Sequence, residues 1–187
     1  MKTIDIRFSK ETYDRIESLV NQEFKMIRHD PLIYGPGAYG IVGVYVGDKV
    51  FAITNQTEVL DYYGAMEDVA VLRFDESEAA QITSLTNNEM VNYPIESTIK
   101  EIRIVNENQQ LFQQGTQIYD VYTVRGIIFV LQDGREVSFE KPVWFSEDIY
   151  IEKGYDLYDK FVPTNAFLED WEDGYTAKCT REIITLD

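Results

Sequence analysis

The chain has 187 residues, 44% hydrophobic and 13% aromatic, which suits one folded domain over 1–187 and argues against a disordered chain. Its formal net charge of −16 opposes nucleic-acid phosphate and favours basic partners. The lone cysteine, Cys179, excludes an internal disulfide; with no secretory pattern at the N-terminus and no apolar run of the roughly 18–20 residues that span a bilayer, a soluble cytoplasmic protein is expected.

Alternation from Lys2 to Phe8 predicts a short strand. Ser9 then offers an N-cap, with Glu11 in the first turn. Tyr13, Ile16, Leu19, Val20, Phe24 and Ile27 recur at helical spacing and predict one amphipathic helix of about five turns. Residues 31–40 form a Pro/Gly-rich loop without a phosphate-loop pattern. Gly47-Asp48 sits between Ile41–Val46 and Lys49–Thr54 as a two-residue hairpin signal, and Glu67–Leu72 reads as another strand. Asp75 as N-cap with Glu78 three residues on predicts a short helix near 76–86. A strand is expected around Ile99–Val105, followed by a polar turn or exposed connection over Asn106–Gln114.

Ile118–Phe139 is the longest β-rich run and the expected scaffold. Asp133-Gly134 predicts a two-residue type I′ turn in it, Ile127–Leu131 a strand covered on both faces, and Gly126 a bulge or a close backbone approach. Val143-Trp144-Phe145 and Glu147–Ile151 follow, then a short helix or irregular segment after Pro163 and a final strand over Tyr175–Leu186. The segment 41–72 echoes 127–151, a weak sign of a duplicated hairpin-plus-strand unit. The expected fold class is α+β: mostly antiparallel sheet, one long N-terminal helix and one short helix.

Catalytic chemistry finds little to work with. One His and one Cys exclude the usual zinc clusters, and nothing brings Cys179 or a serine to His29. Walker, dinucleotide-fold and Cys-x-x-Cys patterns are absent, and no cofactor or metal is expected. The charge is uneven instead. Residues 54–80 carry seven acids against Arg73, and 140–187 carry twelve acids against five bases.

These features point to a non-enzymatic acidic interaction protein. The expected partner is a basic, nucleic-acid-handling protein such as a nuclease, inhibited in the manner of immunity, antirestriction or anti-CRISPR proteins. Direct nucleic-acid or membrane binding is not expected. The contact candidates are Asp61, Tyr62, Glu67, Asp68, Glu147, Asp148, Glu169, Asp170, Trp171, Glu172 and Asp173. The alternatives are a metal-dependent hydrolase built on clustered carboxylates and a structural module without a ligand.

Overall fold

The computed structural model describes residues 1–142, 144–169 and 171–187, so Val143 and the contact candidate Asp170 lie outside the described residues. Ten strands follow in chain order: β1 (Lys2–Ile6), β2 (Glu23–Pro31), β3 (Gly37–Val46), β4 (Lys49–Tyr62), β5 (Ala65–Ser77), β6 (Val91–Gln113), β7 (Thr116–Leu131), β8 (Glu136–Glu140), β9 (Asp148–Gly154) and β10 (Tyr175–Leu186). Two α-helices accompany them, α1 (Lys10–Glu17) and α2 (Asn165–Leu168).

All ten strands belong to one sheet, in which β6 pairs with β7, β7 with β8, β8 with β9, β9 with β3, β3 with β2, and β2 again with β6. That circuit of antiparallel pairings closes on itself, as in a barrel. Its core holds Phe24, Ile27, Val42, Val44, Ile102, Ile104, Ile127, Phe129 and Phe139, with the Phe24–Phe129 and Phe129–Phe139 ring centres 5.0 and 5.9 Å apart. Three additions leave the circuit. β1 lies parallel to the first half of β7, β10 runs antiparallel along β6, and the β4–β5 hairpin extends from β3.

The expected α+β class is overturned: the chain is 62% strand and 10% helical, with two short α-helices among the described residues. The predicted N-terminal helix begins as read, with Ser9 extended at φ −70° and its Oγ accepting from Thr12 N at 3.2 Å. It stops at Glu17. Asn21 takes a left-handed φ of 65° and donates its N–H to Ile99 O at 2.9 Å, which turns the chain into β2. Phe24, Ile27 and Asp30 are fully buried at three-residue spacing because register shifts fall between Phe24 and Met26 and between His29 and Pro31. A bulge adds a residue without reversing the buried face, so this bulged strand imitates a helical period.

The helix near 76–86 shrinks to one 3-10 turn, Ala79–Gln81. Its reciprocal cap joins Glu78 and Gln81, and Asp75 lies in β5 opposite Ala52. Asn106–Gln114 is no exposed connection. Most of it is the second half of β6, and Asn106, Glu107 and Gln109 are 2–3% exposed. The turn that follows is Gln114-Gly115, both at positive φ. Asp133-Gly134 also differs from the two-residue turn expected. Leu131 N donates to Arg135 O at 2.9 Å across a three-residue loop, in which Gly134 alone has positive φ.

Several expectations hold. Gly47-Asp48 links Val46 to its partner Lys49, Ile127–Leu131 is buried throughout, and the final strand spans Tyr175–Leu186. Gly126 meets both expectations. The β6–β7 register slips beside it, and a Cβ there would lie 2.4 Å from Phe139 O and 2.8 Å from the Phe161 ring.

Candidate functional site

The tip of the β4–β5 hairpin is a two-residue turn, with Tyr62 paired to Ala65 and with Tyr63 and Gly64 at φ 52° and 110°. Left-handed backbone costs a bulky residue about 1–2 kcal/mol. Tyr63 offsets this by packing its ring against Tyr119, Phe167 and Trp171, at centre distances of 5.1, 5.8 and 4.8 Å. Burial pushes its phenol pKa upward, so it stays neutral.

Tyr62 meets Trp144 at 5.3 Å and Phe145 at 4.7 Å, both edge to face. Polar contacts tie the same segments together. Asn55 Nδ2 donates to Ser146 O at 3.0 Å and Asp148 O at 2.9 Å, Thr57 N to Glu147 Oε1 at 3.2 Å, and Ala70 N to Trp144 O at 2.7 Å. The two acid-rich stretches, distant in sequence, therefore meet around one aromatic cluster.

Between these walls opens a depression of about 170 Å³, lined by Tyr62, Pro142, Trp144, Phe145, Val162, Pro163, Thr164, Ala166 and Phe167 over Glu107, Gln109 and Arg125. The polar residues beneath form a buried network. Arg181 Nε donates to Glu107 Oε1 at 2.8 Å, Gln109 Nε2 to Glu107 Oε2 at 2.7 Å, and Arg125 to Glu140 Oε1 and Pro142 O, both at 2.9 Å. Arg181 also donates to Val162 O. Burial raises the Glu140 pKa despite Arg125 beside it. Half-buried Cys179 is pushed up to about 12, first by desolvation and then by Glu107.

Lys141 is fully buried. It donates to Ala70 O at 2.9 Å and lies 4.4 Å from the Trp144 ring centre. Desolvation, aided by Arg125, lowers its pKa to about 7.

The sequence-derived candidates fall into distinct places. Glu67 and Asp68 are exposed on β5, opposite Leu60 and Val59. Glu147 is half-buried beside β4, and Asp148 opens β9 opposite Tyr39. Glu169, Glu172 and Asp173 are exposed around Trp171, whose Nε1 donates to Phe167 O at 2.8 Å. Among the described residues none of these seven acids makes an ion pair. Asp61 differs: it pairs with Lys2 and accepts from Gly64 N at 2.7 Å and Tyr119 Oη at 3.1 Å, so it fastens the turn. Asp75 and Glu76, though in the first acid-rich stretch, pair with Arg15 and Lys49 at the other end of β5.

Apolar side chains stand among the acids. Val59 and Met66 are 63% and 67% exposed, opposite Asp68 and Asp61, and Phe145 is 54% exposed. Sequence reasoning missed the network of Glu107, Gln109, Arg125, Glu140, Lys141 and Arg181. Its one available signal was the polar run Asn106–Gln114 directly after the strand expected around Ile99–Val105. Among the described residues no group of three or more His, Cys, Asp or Glu side chains is placed to hold a metal ion, and no helix is long and apolar enough to cross a membrane. No family model, curated protein or solved structure matches the chain.

Proposed function

We propose that this is a non-enzymatic binding protein that engages a basic protein partner through the end bearing the β4–β5 hairpin tip, residues 144–148, and residues 167–169 and 171–173. The observation that carries the reading is the meeting of both acid-rich stretches on the Tyr62–Trp144–Phe145 and Tyr63–Phe167–Trp171 contacts. Acids without ion-pair partners steer a cationic surface inward, and exposed apolar side chains give it something to bury against. A protein that handles nucleic acid has such a surface, and occupation by an acidic protein inhibits it by competing with phosphate. The hydrolase alternative gains no donor set from the described residues.

The test is affinity capture with the wild-type chain and with the triple variant Glu67→Lys, Asp68→Lys, Glu147→Lys, at low and high salt. The wild type should hold a specific basic protein at low salt and release it at high salt, and the variant should not hold it at all. Retention of no basic protein, or equal retention by the variant, overturns the reading.

A further inference from the structure

We infer that the chain forms a symmetric dimer by pairing β10 antiparallel with β10 of a second copy, about a two-fold axis at Thr180. Among the described residues β10 pairs with β6 alone, over 12 successive residues, Tyr175–Leu186 against Gln113–Ile102, with no register shift. Along its other edge every second residue turns its backbone N–H and C=O outward. Among the described residues nothing takes these groups from Thr176 to Leu186. Long edges left open in this way invite a further strand, and bulges or prolines usually blunt them. β10 has no bulge against β6 and no proline.

The charges of the strand select the occupant. They are Lys178, Arg181 and Glu182, two bases against one acid in a chain of net charge −16, so two copies can approach here without setting acid against acid. Arg181 is held by Glu107 at 2.7 Å within its own copy. Lys178 and Glu182 are exposed, and among the described residues neither makes an ion pair. They share one face of the strand but stand four residues apart, roughly 13 Å, too far to meet each other. Their neighbours on β6, Gln110 and Asn106, are neutral amides. Arg7, whose field reaches Glu182, is held by Asp5 at 2.6 Å.

A two-fold axis through Thr180, perpendicular to the sheet, gives both charges a partner. It sets Lys178 opposite the second copy's Glu182 and Glu182 opposite the second copy's Lys178. The overlap then runs nearly the whole strand, from Tyr175 against Thr185 to Thr185 against Tyr175, and it covers Ile183, 41% exposed, with Ala177. Moving the axis one residue either way sets Lys178 against Thr180 or Ile184, and Glu182 against Thr176 or Thr180, so both charge pairs are lost. The match is to the strand's own sequence read backwards, which a second copy supplies.

Sedimentation velocity over a concentration series tests this with the wild type, Lys178→Glu, Glu182→Lys and an equimolar mixture of the two variants. Both positions are exposed, so the fold should survive each change. Neither belongs to the contact end proposed above, so the result is independent of partner capture. The wild type should show a monomer–dimer equilibrium. Each single variant sets like charges opposite each other at two places and should weaken dimerisation about thirtyfold. In the mixture one chain brings acids at both positions and the other brings bases. Heterodimers then regain two opposite-charge pairs, and dimerisation should return to within about threefold of the wild type. A wild type that stays monomeric up to about 1 mM, single variants that dimerise as well as the wild type, or a mixture as weak as the single variants overturns the inference.

Discussion

Replacing Arg125 by Met should destabilise the protein at neutral pH by about 3–5 kcal/mol, the range for removing one partner of a buried ion pair. Arg125 is 7% exposed and Glu140 4%, with Nε to Oε1 at 2.9 Å. Without Arg125, Glu140 keeps the Val162 N–H at 2.8 Å but loses its closest cation, and Pro142 O loses a donor. Glu107 suffers less, because Arg181 remains 2.7 Å away. A loss of this size shifts a urea midpoint by about 2 M at an m-value of about 2 kcal/mol/M, readable by tryptophan fluorescence. The pH dependence identifies the cause. The folded-state pKa of Glu140 is already raised by burial, so its folding contribution is present in acid and lost as pH rises through that pKa. The variant's deficit should therefore be largest at neutral pH and shrink on acidification, and Arg125→Met with Glu140→Gln should recover most of it. A deficit below about 1 kcal/mol, or one unchanged by pH, would refute the reasoning.

Lys141 gives a second pH signature. Its folded pKa of about 7 lies below the ordinary 10.5, so wild-type stability should fall as pH drops from 10.5 to 7. The Lys141→Met variant should lack that slope in urea unfolding at stepped pH. Gly126→Ala should cost about 1–3 kcal/mol, because the new methyl would meet backbone oxygen and a ring; thermal unfolding measures it. Cys179, with its pKa at about 12, should react slowly with a thiol-specific disulfide reagent at pH 8, and Glu107→Gln should accelerate the reaction; equal rates would deny the carboxylate its influence.

Strands with plain alternation or strong turn residues were legible in the sequence: Lys2–Ile6, the Gly47-Asp48 hairpin, Ile127–Leu131 and Tyr175–Leu186. Two misreadings share one physical origin, since spacing alone does not register pairing. Bulges gave Phe24, Ile27 and Asp30 a helix-like interval within a strand. Asn106–Gln113 looked solvated because its partners lie elsewhere in the chain: Tyr13 for Asn106, Arg181 for Glu107 and Asp120 for Asn108. The acid-rich stretches were visible as composition. That they meet on Tyr62, Tyr63 and Trp144 depends on a closed set of strand pairings, and the Tyr63-Gly64 turn that presents them carried only the weak signal of a single glycine.

Hydrogen exchange of the chain, free and bound to a captured basic partner, tests the shared surface most directly. Protection on binding is expected in 56–68, 144–148, 167–169 and 171–173 together, with the edge of β10 near Ile183 unchanged. Protection confined to one of those segments, or appearing only elsewhere on the sheet, would contradict it.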